Sequence, residues 1–354
     1  TTLTGTYTLD GGDDTVVLDT NLTNLAGATL TAVEHVALAT DVDATVTLAQ
    51  NALIDTALGD NTVTLSAAGT ASGAAAVESY VLADGANDFT LGAAAQTVQG
   101  GSDDDVVHTG ALTSLTGSLA LGGGNDTLVV DATATNIAGL SLTSVEAIAL
   151  ASNVNATMTI AENAVLGTAA GAHTAILSDA GAASGSAEVE NYQLANGSNT
   201  FTLGAAAQNV TGGSGDDTLN SGALTTISGA LNGGSGADVV NVDSSATLSA
   251  NLTNIDAVNL GNNVDISTTL ANNALLANAA GVNTVTLNEA GAASGAAAVE
   301  NYVLADGANS FTLGAAAQNV TGGTGDDVVH SGALTTVSGT LALAGGNDKL
   351  VIDT

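Results

Sequence analysis

Short runs in which apolar and polar residues alternate recur along the whole chain, and Gly, Asn and Asp separate them. Alternation at every second residue, built from Val, Leu, Ile and Thr, is typical of β-strands with one buried face. The glycines and amides between the runs favour tight turns. In the first part of the chain this pattern predicts strands at Thr15–Leu18, Leu30–Leu38, Ala44–Leu48, Asn61–Leu65, Tyr80–Leu82, Phe89–Leu91 and Asp105–Val107.

Two alanine-rich stretches, 48–58 and 67–77, interrupt this alternation. Alanine favours helices, but propensity is a weak guide over so few residues. The pattern therefore leaves a short helix and a loop open in both stretches.

Three large repeats dominate the sequence. In each, a tyrosine after Glu-Ser or Glu-Asn is followed nine residues later by Phe-Thr-Leu-Gly-Ala-Ala-Ala-Gln. The tyrosines are Tyr80, Tyr192 and Tyr302, at intervals of 112 and 110 residues. Self-similarity of this kind is typical of solenoids. We predict one continuous solenoid over residues 1–354, with large repeats at 11–122, 123–234 and 235–344 and with 345–354 beginning a fourth.

The two ends of the chain resemble each other. Thr1–Thr20 matches Thr335–Thr354 in phase, and neither end shows the atypical sequence expected of a capping repeat. We therefore expect the chain to be part of a longer repetitive protein.

Acidic turns recur at a nearly constant step. Asp105 precedes Asp126 by 21 residues, and the same step separates Asp217 from Asp238. A step of this length fits one complete coil of a β-solenoid, so that successive turns stack along one edge. The predicted fold is all-β, a right-handed parallel β-solenoid, with short helical or loop insertions and about five or six coils per large repeat.

Composition narrows the classes of partner. The chain has 35 Asp and Glu against 1 Lys and Arg, for a formal net charge of −34. Such a surface excludes nucleic acid and disfavours anionic membranes, because no basic patch can form. No stretch approaches the roughly 20 apolar residues of a membrane helix. Cysteine is absent, which excludes disulfides and thiolate sites. Self-repulsion on this scale opposes compaction unless counterions bind.

The acidic turns resemble the RTX nonapeptide, Gly-Gly-x-Gly-x-Asp-x-apolar-x. Gly212–Asn220 fits at every defined position, and so does the segment that begins at Gly322. Gly100–His108 places Asp103 where the third glycine belongs, and the turns before Asp14, Asp126, Asp238 and Asp348 are more degenerate. The resemblance implies calcium-loaded turns in a secreted bacterial protein, as in surface-layer proteins and giant adhesins. The motifs here are spaced rather than in uninterrupted tandem.

Carried over residue by residue, the resemblance implies two ranks of calcium ligand. Ca²⁺ prefers hard oxygen ligands such as carboxylates and carbonyls. Asp and Asn that merely cap turn amides remain the alternative at every site, and capping is favoured at Asn87, Asn199 and Asn309, since the neighbouring carboxylate is lost in two of three copies. The first rank is Asp14, Asp105, Asp126, Asp217, Asp238, Asp327 and Asp348; the second is Asp13, Asp104, Asn125, Asp216, Asp326 and Asn347.

An enzyme is the rival class, because some parallel β-helices act on polysaccharides. Those that bind acidic sugars need Arg or Lys, and this chain has one lysine, Lys349, and no arginine. Its carboxylates recur in every repeat, whereas an active site is a unique constellation. Glu78, Glu190 and Glu300 are expected to face solvent or bond a turn. The four histidines share no common setting, so we predict no catalysis. Ice binding would require a uniform threonine array, which the repeats do not sustain.

The expected function is mechanical. We expect an extracellular, calcium-stabilised structural segment of a secreted, cell-surface protein, forming a surface layer, a filament or an adhesin shaft. The alternative is a non-catalytic calcium-binding shaft of a larger secreted enzyme or toxin, and a polysaccharide-acting enzyme ranks below both. Expected partners are calcium ions, neighbouring copies of the same protein and cell-surface glycans, with neither nucleic acid nor membrane insertion.

Overall fold

The computed structural model describes residues 1–353; Thr354, which belongs to the segment predicted to begin a fourth repeat, lies outside them. The chain divides into two compact units, residues 1–176 and residues 177 onward, and each is described by itself. Both are built almost entirely from short parallel strands stacked as the coils of a β-solenoid. The predicted fold class is therefore confirmed in its all-β, parallel, coiled character.

The first unit contains two four-residue helices among its strands. Its elements are β1 (Thr2–Thr8), β2 (Thr15–Leu18), β3 (Thr23–Thr31), β4 (His35–Leu38), β5 (Ala44–Val46), α1 (Leu48–Asn51), β6 (Ile54–Ala57), β7 (Thr62–Leu65), β8 (Thr70–Ser72), β9 (Ser79–Val81), β10 (Asp88–Thr90), β11 (Thr97–Gln99), β12 (Val106–His108), β13 (Ser118–Ala120), β14 (Thr127–Val130), β15 (Thr135–Asn136), β16 (Ser141–Thr143), β17 (Ala147–Leu150), β18 (Ala156–Met158), α2 (Ile160–Asn163), β19 (Leu166–Ala169) and β20 (Thr174–Leu177), whose last residue is the first of the second unit.

The second unit repeats this arrangement with one helix. Its elements are β21 (Ala182–Ser184), β22 (Asn191–Gln193), β23 (Thr200–Thr202), β24 (Asn209–Thr211), β25 (Thr218–Asn220), β26 (Thr226–Ile227), β27 (Ala230–Asn232), β28 (Val239–Val242), β29 (Ala246–Leu248), β30 (Asn251–Thr253), β31 (Ala257–Asn262), β32 (Ile266–Thr268), α3 (Leu270–Asn273), β33 (Leu276–Ala280), β34 (Thr284–Leu287), β35 (Ala292–Ser294), β36 (Asn301–Val303), β37 (Ser310–Thr312), β38 (Asn319–Thr321), β39 (Val328–His330), β40 (Leu341–Ala342) and β41 (Lys349–Val351).

Strands pair with the strand one coil away, so each sheet runs across the coils. In the first unit one sheet has the order β1-β3-β5-β7-β9-β11-β13-β16 and another the order β8-β10-β12-β14-β17-β19. Asp88 pairs with Val106, and Val106 pairs with Thr127, which are 18 and 21 residues further along. The second unit has a six-stranded sheet of the order β21-β23-β25-β28-β31-β33. The predicted step of about one coil between acidic turns is therefore confirmed at these positions.

The alanine-rich stretches have different outcomes. In the stretch 48–58, a helix forms only over α1, which begins with a capping box. The Thr47 hydroxyl accepts the backbone N–H of Gln50, and the Gln50 side-chain oxygen accepts the backbone N–H of Thr47. In the stretch 67–77 no helix forms, and β8 occupies its centre, so the helical alternative is wrong there.

Within residues 1–353, no helix is both long and apolar enough to cross a membrane.

The core consists of ladders of inward side chains. On one sheet of the first unit, Val63, Tyr80 and Val98 lie at paired positions in successive coils, each 0–1% exposed. Phe89 belongs to the facing sheet, and its ring centroid lies 4.9 Å from that of Tyr80 at a tilt of 52°. The second unit has the same tilted pair at Tyr192–Phe201 and at Tyr302–Phe311. Tyr and Phe thus bridge the interior once in each repeat.

A buried glutamine explains the end of the recurrent Phe-Thr-Leu-Gly-Ala-Ala-Ala-Gln motif. Gln208 is 1% exposed, and its Oε1 accepts a hydrogen bond from the Gly204 N–H at 2.9 Å. Its Nε2 donates to the carbonyl oxygens of Ser186 and Val189, in the preceding coil, at 2.9 and 2.7 Å. The side chain therefore satisfies main-chain groups at the corner of two coils, as buried polar groups must. Gln96 and Gln318 make the corresponding bonds.

The buried tyrosines should resist ionisation. Burial raises the pKa of Tyr80, Tyr192 and Tyr302 to about 12, against the lowering effect of a backbone N–H donated to each phenol oxygen. The unfolded chain releases these protons near pH 10, whereas the folded chain holds them. The three tyrosines therefore do not change the free energy of unfolding below pH about 10. As pH rises from about 10 to about 12 they lower it, by up to about 2–3 kcal/mol per tyrosine.

Near-ultraviolet absorbance of tyrosinate in native and urea-unfolded protein measures this shift. Tyr302→Phe should reduce the amplitude of the late transition in the native titration and leave the remainder at the same pH. Ionisation of the buried tyrosines near pH 10 in a chain that keeps its β spectrum would contradict the packing described here.

Candidate cation-binding turns

The two ranks of predicted ligand occupy different environments. Asp217 and Asp238 are each 1% exposed, whereas the preceding Asp216 lies at the surface. The same division holds in the other copies: Asp105, Asp126 and Asp327 are buried, Asp14 and Asp348 are half-buried, and Asp13, Asp104, Asn125, Asp326 and Asn347 are exposed. First-rank side chains therefore point into the solenoid rather than outward.

The buried aspartates form a column across the coils. In the second unit, the backbone N–H of Asn199 donates to Asp217 Oδ1, and the N–H of Asp217 donates to Asp238 Oδ1, both at 2.8 Å. The N–H of Asp238 in turn donates to Asp256 Oδ2 at 2.8 Å. Each carboxylate thus accepts the main-chain N–H of the turn one coil earlier, which holds successive turns in register.

The column recurs with the same bonds. In the first unit the order is Asn87, Asp105, Asp126 and Glu146, linked at 3.0, 2.7 and 2.8 Å. A further column in the second unit runs from Asn309 through Asp327 to Asp348, at 3.1 and 2.9 Å. In the first unit, the backbone N–H of Asp14 donates to Glu34 Oε2 at 3.0 Å. Capping of turn amides, the alternative left open above, is therefore a role that these aspartates do perform.

Three members of these columns were missed by the sequence reasoning. Glu34, Glu146 and Asp256 each accept an N–H of the preceding aspartate, yet none follows a glycine-rich turn. Each precedes a strand and lies 18–20 residues after a first-rank aspartate, which is one coil. That spacing, rather than the glycine pattern, was the signal that could have identified them.

Several carboxylate oxygens are left over. Among the described residues, Oδ2 of Asp126, Asp238 and Asp327, and that of the half-buried Asp14, is buried without a hydrogen-bond partner. A buried anionic oxygen without a partner is costly. These atoms mark the places in the columns where a positive group would be stabilising.

The paired glycines make room for these carboxylates. A Cβ built on Gly212 would lie 2.4 Å from Asp217 Oδ2 and 2.1 Å from the carbonyl oxygen of Gly233, in the next coil. Gly322 has the same relation to Asp327 Oδ2, at 2.5 Å, and to the Leu343 carbonyl oxygen, at 2.7 Å. A side chain at Gly212 or Gly322 would clash with both the carboxylate and the main-chain carbonyl, so only glycine fits at these positions. The turn thereby gathers hard oxygen donors, the kind that Ca²⁺ prefers.

The columns concentrate negative charge. Successive turns of a column are stacked at about the strand spacing of 4.8 Å. Two unit charges at that separation repel by about 3 kcal/mol at an effective dielectric constant of about 20. Burial raises the pKa of Asp126 and Asp238, and the carboxylates above and below raise it further, against the lowering effect of the N–H bond from the preceding aspartate. A compensating positive charge would relieve both effects.

The second-rank residues form a separate, exposed line of contacts. Asp104 Oδ1 accepts the N–H of Asn125 at 2.7 Å, and Asp326 Oδ1 accepts that of Asn347 at 2.7 Å. Asp216 Oδ1 does the same for Ala237 at 2.8 Å. Here the later coil donates to the earlier one, which is the reverse of the buried column. Asp13 instead lies 2.7 Å from His35 Nε2.

The described part of the chain contains no cage built from carboxylates alone. Over residues 1–353, no group of three or more His, Asp or Glu side chains is arranged to hold a metal ion. A cation in these turns would therefore depend on main-chain carbonyls beside one or two carboxylates. The buried turns offer unpartnered Oδ2 atoms and main-chain carbonyl oxygens beside the glycines. These oxygen donors fit a hard cation.

The other titratable residues serve the coil contacts. Glu78 and Glu300 accept the N–H of Asn61 and of Asn283, each at 2.9 Å, so the predicted turn-bonding role is confirmed for these two. His35 is bonded to Asp13 and to Asp55, and the bond to Asp13 is the larger cause of its raised pKa. These side chains link adjacent coils.

No protein-family model matches the chain, and no curated protein or solved structure matches it either.

Proposed function

We propose that this chain is a non-catalytic, calcium-stabilised structural segment of a secreted, repetitive bacterial surface protein. The observation that carries the proposal is the recurrence of one buried carboxylate column, with the same main-chain bonds, in copy after copy. An enzyme uses its carboxylates once, in a unique arrangement. Here they recur and are engaged in holding coils together, which supports a load-carrying role.

Calcium has a defined part in the proposal. Asp126, Asp238 and Asp327 would hold it through Oδ2, beside carbonyl oxygens of the glycine-rich turns. The ion would supply the positive charge that offsets repulsion within each column. Because the unfolded chain has no such turns, the binding free energy stabilises the folded state. A net charge of −34 would keep the chain expanded where calcium is scarce and let it fold where calcium is abundant, outside the cell.

The partners follow from the same argument. Calcium ions are the first, and neighbouring copies of the protein or cell-surface glycans are the macromolecular ones proposed for a surface layer, filament or adhesin shaft. A passive shaft of a larger secreted enzyme or toxin would have calcium alone.

Calcium removal tests the proposal directly. We expect the chelator-stripped chain to lose β signal or to melt at a lower temperature, and calcium to restore both. Each site should add about 2.7 kcal/mol at a free concentration 100-fold above its dissociation constant. Circular dichroism and thermal melting of the full chain measure this, with magnesium and sodium chloride at matched ionic strength as controls for charge screening. Sedimentation of the calcium-loaded sample separates a self-associating subunit from a monomeric shaft.

An unchanged β spectrum and melting temperature in excess chelator would show that calcium does not stabilise this fold. Equal stabilisation by sodium chloride would reduce its part to general screening of charge.

A further inference from the structure

Three of the buried columns begin with an asparagine, although the positions below it are acidic. In the second unit, Asn199 is followed by Asp217 and Asp238, which occupy the same place in turns of the same length. The central glycines of these three turns, Gly197, Gly215 and Gly236, all have left-handed backbone, with φ of 109°, 115° and 141°. The three turns are therefore equivalent in position and share a left-handed fourth residue, although the second residue of the Asp238 turn, Gly234, is also left-handed (φ 94°), unlike Ala195 and Gly213. The side chain at the end of each can be compared atom by atom.

The Asn199 amide nitrogen lies among three oxygens. Its Nδ2 donates to the carbonyl oxygens of Ala195 and Gly197, both at 2.9 Å, and to Asp217 Oδ1 at 2.8 Å. The nitrogen thus presents its hydrogens to two turn carbonyls and to the carboxylate of the next coil. The amides of Asn87 and Asn309 make the same three contacts, to Ala83, Gly85 and Asp105 and to Ala305, Gly307 and Asp327.

In the acidic turns an oxygen takes the place of that nitrogen. Asp238 Oδ1 accepts the N–H of the preceding coil, as the Asn199 oxygen does from Gly181 at 3.2 Å. Asp238 Oδ2 therefore corresponds to Asn199 Nδ2, and among the described residues it is buried without a partner. Asp126 Oδ2 and Asp327 Oδ2 likewise correspond to the amide nitrogen of the asparagine in their columns, and both are buried without a hydrogen-bond partner among the described residues. A carboxylate has no hydrogen to offer the surrounding oxygens.

We propose that the Asn87, Asn199 and Asn309 amides are built-in substitutes for a bound cation. The amide closes the first turn of each of these columns with its own hydrogens, and the turns of Asp126, Asp238 and Asp327, whose Oδ2 is unpartnered, require Ca²⁺ at the corresponding position. Oδ2 of Asp105 and of Asp217 instead accepts the N–H of Gly101 and of Gly213, each at 3.3 Å. Asparagine thus sets where in a column calcium binds, and how many ions a repeat takes. The choice of Ca²⁺ as the ion rests on the proposed function; the substitution of amide for cation does not.

Two opposite exchanges test the proposal in the full chain. Asp238→Asn supplies an amide where Oδ2 is unpartnered, so one calcium ion fewer should bind per chain. In excess chelator this variant should melt about 2–4 °C above the parent. Asn199→Asp should do the reverse, with one ion gained and a melting temperature that is lower in chelator and recovers with calcium.

Asp265→Asn is the matched control, because it removes the same charge from an exposed residue of the same unit that belongs to neither rank of ligand, and it retains an oxygen to accept the Thr284 N–H. Its calcium stoichiometry should equal that of the parent. Equilibrium dialysis with calcium and thermal melting in chelator provide the two readouts.

The outcomes separate this proposal from the proposed function. If the parent binds calcium and Asp238→Asn leaves the stoichiometry unchanged, the substitution of amide for cation is wrong and the calcium-stabilised segment survives. If the parent is indifferent to calcium, the proposed function fails, and the chelator melts alone decide the inference. A variant Asp238→Asn that is no more stable than the parent in chelator then overturns it.

Discussion

Replacement of Phe201 by alanine should destabilise the second unit by about 3–5 kcal/mol, the usual cost of removing a fully buried phenylalanine. Phe201 is 0% exposed, and its ring centroid lies 4.7 Å from that of Tyr192. The chain has 3 Phe and no Trp, so each ring fills space that Val, Leu and Ala cannot refill. The interior between two facing sheets of short strands contains few side chains that could move into the cavity left by the ring.

Urea unfolding followed by circular dichroism measures this change. Thr200→Ala is the matched control, since Thr200 belongs to the same strand but faces solvent, and its loss should cost less than about 0.5 kcal/mol. Phe89→Ala and Phe311→Ala should behave like Phe201→Ala, because each ring packs on the tyrosine of its own repeat. A loss below about 1 kcal/mol for all three would show that the tilted ring pairs are not the centre of the core.

The coiled parallel fold could be predicted because two periodicities agree. Alternation along each run fixes which side chains face inward, and the 21-residue step between Asp105 and Asp126 sets the coil length. Together they specify the register, and the structure pairs Val106 with Thr127 as that step requires. Local and long-range patterns that point to the same arrangement are the mark of a well-specified fold.

The short helices could not be predicted with the same certainty. α1 is four residues long, and what defines it is the capping box between Thr47 and Gln50 rather than its alanine content. The equally alanine-rich stretch around β8 adopts a strand, because Thr70–Ser72 lies beside Asp88–Thr90 in a parallel sheet. Tertiary pairing overrides propensity over so few residues.

The sequence located the acidic turns in the stack but did not predict the direction of their side chains. The nonapeptide pattern selected Asp105 and Asp217, and both do occupy stacked turns. It did not reveal that their carboxylates point inward and accept an N–H from the previous coil. That direction depends on how two coils lie against each other. The sequence of a single turn does not reveal the direction of its carboxylate. For the same reason the sequence did not identify Asp256 as a member of the column.

The glycine that follows Phe-Thr-Leu in the recurrent motif should be the least replaceable glycine of its coil. A Cβ built on Gly204 would lie 2.0 Å from the carbonyl oxygen of Gly185 and 2.6 Å from its carbonyl carbon. Both atoms belong to the backbone of the neighbouring coil, so no side chain can rotate away to make room. We therefore expect Gly204→Ala to cost about 3 kcal/mol or more, at or above the upper end for overpacking a core.

Gly345→Ala, in the same unit, is the matched control. A Cβ at Gly345 meets no atom within 4 Å, and its φ lies outside the left-handed range. Alanine should be tolerated there, or should stabilise by about 0.4–1 kcal/mol by restricting the unfolded chain. Urea unfolding of both variants measures the difference. Equal stabilities would mean that adjacent coils can separate by more than a methyl group without cost, which is incompatible with the Gln208 bonds that bridge the same corner.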